Sequence, residues 1–131
     1  MKTYFLDTSV IIDYLRGKEE AVNLVDGLKG KLVSSNICLS ELYEGIYRSK
    51  NKNAESTVLE FFSGLSKTYG LNQKIAQEFG SLRKNLKQKG EIIEDLDIMI
   101  AATCLVYNLS LITLNKKHCN RSGFDKTSVF L

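Results

Sequence analysis

The segment KTYFLDTSVIID, residues 2–13, predicts a buried strand that leads directly into a helix. Its first half is largely apolar and ends at Asp7, after which the hydrophobic residues recur at helical spacing. Thr8 or Ser9 can cap the helix, and Gly17 is a suitable stop. An acid is therefore expected at the junction between the first strand and the first helix.

Strands and helices continue to alternate along the rest of the chain. Further strands are predicted at 31–35, 68–71, 109–113 and 129–131, and helices at 19–28, 36–49, 54–67, 72–90 and 95–107. This alternation favours an α/β fold, in which right-handed crossovers build a parallel sheet covered by helices on both faces.

Length and composition indicate one globular domain over residues 1–131. A chain of 131 residues, 44% hydrophobic and 25% charged, can bury a sizeable core, and this composition excludes collagen-like, coiled-coil and disordered classes. The longest apolar stretch, 98–107, is far shorter than the roughly 20 residues of a membrane span. The N-terminus lacks the features of a signal peptide, so we expect a cytoplasmic protein without a membrane span.

Cysteine and histidine are too few for the common zinc and triad chemistries. Cys38, Cys104 and Cys119 form no CxxC pair and are expected to be reduced thiols, two of them in the core. His118 is the one histidine, and any serine or cysteine triad would depend on it alone. A metal ion in this protein is therefore expected to have oxygen ligands.

Four acids fall where a parallel sheet would bring them together. Asp7 ends the first strand, Glu41 lies in the helix after the second, and Asp95 and Asp97 open the helix before the strand that ends at Thr113. Function gathers beyond the carboxyl ends of parallel strands. Because converging carboxylates repel each other, we expect Mg²⁺ or Mn²⁺ between them, which could activate water against a phosphodiester.

Each candidate also has a purely structural interpretation. Asp7 can cap the first helix, and Asp95 and Asp97 can complement a helix dipole. Glu41 can be an ordinary surface residue of its helix. His118 can be a general base or an exposed loop residue. The joint placement of the acids favours a functional site over these separate interpretations.

Clustered bases predict a polyanionic partner such as nucleic acid. Taken alone, each cluster is also consistent with a solvated helix face. The candidate RNA-binding residues are Arg48, Lys84, Lys87, Lys116 and Lys117.

Four ordered segments resemble the motifs of PIN-domain nucleases, and more narrowly of VapC-type toxins of toxin–antitoxin pairs. The segments are LDTSVIID at 6–13, SELYEG at 40–45, DIMIAA at 97–102 and LITLN at 111–115. The resemblance implies a three-layer α/β/α sandwich with about five parallel strands. It also implies a Mg²⁺- or Mn²⁺-dependent endoribonuclease that hydrolyses structured RNA such as transfer or ribosomal RNA.

The same resemblance implies roles for individual residues. The catalytic, metal-binding acids would be Asp7, Glu41 and Asp97, with Asp95 as an accessory metal ligand. The supporting residues would be Thr8, Ser9, Thr113 and Asn115. Asn115 stands where many members carry an aspartate, which leaves open whether one ion or two are bound, and Cys119 stands where an aromatic residue is usual.

The implied partners are an RNA substrate, a cognate antitoxin that is a small DNA-binding protein, and a second copy of the chain in a homodimer. The apolar residues available for a dimer, an antitoxin groove or the core are Tyr43, Tyr47, Phe61, Phe62 and Leu65.

Two other functions are compatible with an α/β domain of this kind. One is a PIN-like binding module that has lost catalysis, which the intact acids disfavour. The other is a phosphotransfer or phosphatase domain, which also carries an acid after its first strand. The absence of a second acid immediately beside Asp7 disfavours this alternative.

Overall fold

The computed structural model describes residues 2–114 and the backbone of residues 128–130. The strands are β1 (Lys2–Leu6), β2 (Gly30–Ser35), β3 (Lys67–Tyr69), β4 (Ser110–Thr113) and β5 (Ser128–Phe130). The helices are α1 (Thr8–Leu15), α2 (Glu19–Asp26), α3 (Asn36–Arg48), α4 (Ala54–Ser63), α5 (Gln73–Gln88) and α6 (Asp95–Tyr107). The predicted α/β class and the alternation of elements are confirmed.

The five strands form one parallel sheet in the order β3-β2-β1-β4-β5. The register aligns Phe5 of β1 with Val33 of β2 and Leu111 of β4. The chain builds outward from β1 to β3 and then returns to the other side of β1 as β4. This reversal of strand order opens a crevice beyond the carboxyl ends of β1 and β4, the usual place for a site in an open α/β sheet.

Alternate strand residues supply the cores on the two faces of the sheet, since successive side chains point to opposite faces. Phe5 and Leu111 pack with Cys104 of α6 on one face. Leu6 and Ile112 pack with helices α1 to α4 on the other face. The sheet is therefore covered on both faces, as the predicted three-layer arrangement requires.

Helix boundaries follow local signals in the chain. Asp7 is the N-cap of α1 and accepts a hydrogen bond from the Thr8 N–H, so the predicted capping by Thr8 or Ser9 is wrong. The reason is that the chain is still extended at Asp7, where the carboxylate reaches the first free amide. Gly17 and Gly90 follow α1 and α5 with φ of +74° and +69°, a conformation that favours glycine.

The prediction of one helix over 54–67 is wrong at its C-terminal end. Helix α4 ends at Ser63, and Gly64 is its C-cap. The Ser66 N–H then donates to the Leu32 carbonyl at 2.9 Å, and β3 begins at Lys67. Pairing with β2 therefore takes the last residues of the predicted helix into the sheet.

No helix within residues 2–114 is long and apolar enough to cross a bilayer.

Candidate active site

Hydrogen bonds from three sides hold the Asp7 carboxylate at the end of β1. Asp7 Oδ1 accepts from the Thr8 N–H at 2.8 Å. Asp7 Oδ2 accepts from Thr113 Oγ1 at 2.7 Å and from Ser9 Oγ at 3.3 Å. Thr113 ends the neighbouring strand β4, so the adjacency of β1 and β4 creates the shortest of these hydrogen bonds. The predicted support of Asp7 by Ser9 and Thr113 is present.

Glu41 reaches the same place from α3. Thr8 Oγ1 donates to Glu41 Oε1 at 2.7 Å, which links the start of α1 to the middle of α3. One carboxylate oxygen each of Asp7 and Glu41 lies, with Cys38 Sγ, in a group of atoms that are all within 4.8 Å of one another. Two predicted catalytic acids are therefore close enough to share one ion.

Asp97 lies in the first turn of α6 and acts electrostatically on the same group. Burial is the largest cause that raises the pKa of Glu41, and the charges of Asp7, Asp97 and Glu94 raise it further. The hydrogen bond from Thr8 opposes this rise because it favours the ionised carboxylate. The charges of Asp7 and Asp97 thus both act on Glu41, and we call these three acids the acidic cluster.

Cys38 lies beside Asp7 and Glu41 but is not a suitable metal ligand. Burial, followed by the nearby charge of Asp7, raises the pKa of the Cys38 thiol to about 12. A protonated thiol is a poor ligand for a hard cation, which prefers oxygen. Cys38 and Cys104 are both buried free thiols, so the expected two core cysteines are confirmed.

Asp95, unlike Asp97, is not among the charges that act on Glu41. It is exposed at the start of α6 and forms an ion pair with Arg83 of α5. Glu94, which the sequence interpretation missed, instead contributes a charge that acts on Glu41. Its position directly before the predicted helix was the available signal, since side chains around a helix start can lie toward the sheet edge.

The remaining candidates are dispersed. Arg48 lies 4.0 Å from Glu44 in an exposed pair, and Lys84 and Lys87 are exposed on α5. The candidates that lie outside the described residues are Asn115, Lys116, Lys117, His118 and Cys119. Their predicted roles stay predictions.

The apolar candidates for partner binding separate into core and surface. Phe62 is buried in the core. Phe61 and Leu65 are half-buried and line an open cavity of about 650 Å³ between α1, α2 and α4. Tyr43 donates from its hydroxyl to Glu55 at 2.8 Å, while Tyr47 is 79% exposed.

We expect Glu41→Gln to stabilise the metal-free protein at neutral pH. Because folding raises the pKa of Glu41, protonated Glu41 stabilises the folded state. This stabilisation is fully present below the pKa that Glu41 has in the unfolded chain, and it is lost as pH rises through the pKa that Glu41 has in the folded protein. Glutamine keeps an oxygen for the Thr8 hydroxyl and removes the charge. Urea unfolding in EDTA should give a higher free energy of unfolding for Glu41→Gln than for the wild type at pH 7, and this difference should shrink toward about pH 4. An equal gain at both pH values would contradict this origin.

The sequence profile of the PIN domain family matches residues 4–123. With the parallel sheet and the acidic cluster at its carboxyl edge, this match places the protein among nucleases of the PIN type. The chain belongs to the PIN domain family and, within it, to the VapC ribonucleases.

Individual relatives cover most of the chain. It is similar to ribonuclease VapC1 of Methanocaldococcus jannaschii, with 33% identity over 116 residues, 88% of this chain and 78% of the relative. It is also similar to ribonuclease VapC2 of Rickettsia felis, with 31% identity over 121 residues and 90% of both chains. Among solved structures, VapBC2 from Rickettsia felis bound to a promoter DNA fragment superposes with a TM-score of 0.85 at 28% identity, covering 98% of this chain and 97% of that chain.

Proposed function

We propose that the protein is a metal-dependent endoribonuclease and the toxin of a toxin–antitoxin pair. The observation that carries this proposal is the close approach of Asp7 and Glu41 at the edge of the sheet, with the charge of Asp97 acting on Glu41. Within the described residues, no lysine or arginine is among the charges that shift the pKa of Glu41. Converging carboxylates favour a bound cation, and the relatives are named ribonucleases.

The donor set fits a hard divalent ion. Asp7, Glu41 and Asp97 offer only carboxylate oxygens, the ligands that Mg²⁺ and Mn²⁺ prefer. When bound, such an ion would activate water and neutralise the charge that develops on a phosphodiester during in-line displacement. Because Asp95 is paired with Arg83, we leave Asp95 out of the proposed ligands.

The chain's own residues prepare this chemistry. Thr113, Ser9 and the Thr8 N–H fix the direction of the Asp7 carboxylate before any ligand arrives. The raised pKa of Glu41 makes its carboxylate a better proton acceptor. We assign Glu41 to take the proton from the water whose oxygen attacks the phosphorus, as the bond to the leaving ribose oxygen breaks and that oxygen takes a proton from solvent. Asp7 and Asp97 are the residues that would hold the cation.

Thr113→Val is expected to weaken Mn²⁺ binding and RNA cleavage by roughly 10- to 100-fold, as for other partners that orient a metal ligand. Valine keeps the shape of the buried side chain but removes the hydroxyl that donates to Asp7 Oδ2. Calorimetric titration with Mn²⁺ measures the affinity. Thr103→Val is a matched control, since the Thr103 hydroxyl bonds to the Met99 carbonyl within α6. Unchanged Mn²⁺ affinity in Thr113→Val would contradict a role for this hydroxyl.

We also propose a cognate antitoxin as partner, supported by the similarity to the VapBC2 complex bound to promoter DNA. The cavity lined by Phe61 and Leu65 is the apolar surface we assign to it. A homodimer and a cytoplasmic location complete the proposal. The expected homodimer is tested by light scattering of the purified toxin, which should give twice the chain mass.

The nuclease proposal is tested with the purified protein and a pool of cellular RNA. In Mg²⁺ or Mn²⁺ we expect a few defined fragments, because structured RNA such as transfer or ribosomal RNA offers few accessible sites. EDTA should abolish them. Cleavage that persists in EDTA would contradict metal dependence, and absence of cleavage by folded, antitoxin-free protein would favour the inactive binding module.

A further inference from the structure

A groove leads away from Glu41 between helices α1, α3 and α4. Its volume is about 360 Å³, within the range of small-ligand sites. The floor is apolar: Leu42 and Val58 are buried, and Ile46 is half-buried. Glu41 is among the residues that line it, so the groove and the acidic cluster share this side chain.

The rim of the groove is basic. Arg16, the C-cap of α1, and Arg48, the last residue of α3, both line it, whereas Glu41 is its only acidic lining residue in the described part of the chain. Arg16 forms no ion pair within residues 2–114. The exposed 4.0 Å pair between Arg48 and Glu44 is weak enough to exchange for another anion.

A missing side chain keeps the middle of the groove open. Gly45 lies on α3 four residues after Glu41, so the two share a helix face. A Cβ at Gly45 would meet no atom within 4 Å. A side chain added at this lining position therefore starts in open space beside the groove.

Two polar residues supply hydrogen-bond donors at the outer end. Ser49 Oγ accepts from the Asn51 N–H at 3.0 Å, and Asn51 Oδ1 accepts from the Asn53 N–H at 2.9 Å. These bonds leave the Ser49 hydroxyl hydrogen and the Asn51 amide hydrogens for a ligand. Nucleobase edges carry acceptors that match such donors.

We propose that this groove binds the RNA nucleotide next to the scissile phosphodiester, with its base on the apolar floor and phosphates against Arg16 and Arg48. This inference rests on the proposed nuclease function. An RNA strand whose phosphodiester lies at the acids must continue away from them, and Glu41 lines the groove. Unstacked bases bind apolar side chains, and guanidinium groups bind phosphate in a bidentate manner.

The test is Gly45→Leu, which adds a bulky side chain at a position that lines the groove. Its control is Asn23→Leu, which adds the same side chain at an exposed position of α2 away from the groove. The probe is a fluorescein-labelled 12-nucleotide RNA of random sequence, titrated in EDTA so that binding is measured without cleavage. We expect Gly45→Leu to weaken binding about tenfold, as when one stacked base is displaced, and Asn23→Leu to bind like the wild type. Equal affinities of the two variants would overturn the proposal.

A second variant, Arg16→Gln with Arg48→Gln, tests the phosphate binding without filling the groove. We expect the slope of log affinity against log salt to fall by roughly 0.7 for each phosphate that the variant no longer neutralises. An unchanged slope would contradict the proposed roles of the two arginines. The nuclease proposal is tested by a different result: it fails if the wild type does not cleave cellular RNA in Mn²⁺. RNA binding in EDTA tests the groove proposal independently of that result.

Discussion

Asp97→Asn is expected to lower the rate of RNA cleavage by roughly 10³-fold or more while the protein stays folded. Asparagine has nearly the same shape and keeps one oxygen, but it removes a charge that the proposed cation needs. It also removes one of the charges that raise the pKa of Glu41, so repulsion at Glu41 falls in the metal-free protein. The measurement is cleavage of cellular RNA in Mn²⁺, with circular dichroism to check the fold.

Asp13→Asn is the matched control for this variant. Asp13 lies on α1 and pairs with Lys18 at 3.4 Å, outside the acidic cluster. Its replacement should leave the cleavage rate unchanged. Asp95→Asn should have a smaller effect than Asp97→Asn, because Asp95 is exposed and paired with Arg83. Cleavage by Asp97→Asn at the wild-type rate would make the assignment of this acid wrong.

Mn²⁺ is expected to raise the melting temperature of the wild type by roughly 10 °C at about 100 times the dissociation constant. A ligand that binds only the folded state adds about 2.7 kcal/mol at that concentration, and the melting temperature of a domain of this size rises several degrees for each kcal/mol. Asp7→Asn should show little of this shift, since the Asp7 carboxylate that three hydrogen bonds orient is a proposed ligand of the ion. Thermal unfolding with and without Mn²⁺ measures the difference.

Buffer with EDTA gives the baseline for both proteins, and Asp13→Asn again serves as the control that should behave like the wild type. Equal shifts in wild type and Asp7→Asn would mean that Mn²⁺ binds elsewhere. Such a result would contradict the proposed site even if the protein cleaves RNA.

The sequence was sufficient to place Asp7 and Glu41 near each other. The carboxyl ends of parallel strands meet at one edge, so an acid after β1 and an acid in the helix after β2 are expected to converge. The hydrogen bond from Thr8 to Glu41 could not be predicted. It depends on how closely α1 packs against α3, which is set by side-chain packing and not by local sequence pattern.

The sequence pattern could not distinguish Asp95 from Asp97 as a residue of the site. Asp95 and Asp97 are two residues apart, and side chains at that spacing lie on different sides of a helix. The sequence predicts both acids as metal ligands. In the structure, Asp95 instead forms an ion pair with Arg83 of α5. The choice between them follows from the packing of α6 against α5, a contact between elements that the sequence does not specify by itself.

The end of α4 was mispredicted for a related reason. Leu65 continues the apolar spacing of Val58, Phe61 and Phe62 that suits a helix, and this spacing takes no account of a neighbouring strand. Lys67–Tyr69 instead completes the sheet edge beside β2, where backbone pairing outweighs helix propensity.

The most direct test of the acidic cluster as a metal site is a crystal structure of the protein grown with Mn²⁺, with diffraction collected for anomalous scattering. We predict an anomalous peak in contact with the carboxylates of Asp7 and Asp97 and beside Glu41, absent from crystals of Asp97→Asn. A fully occupied Mn²⁺ elsewhere, with the three carboxylates free of metal, would contradict the proposed metal site.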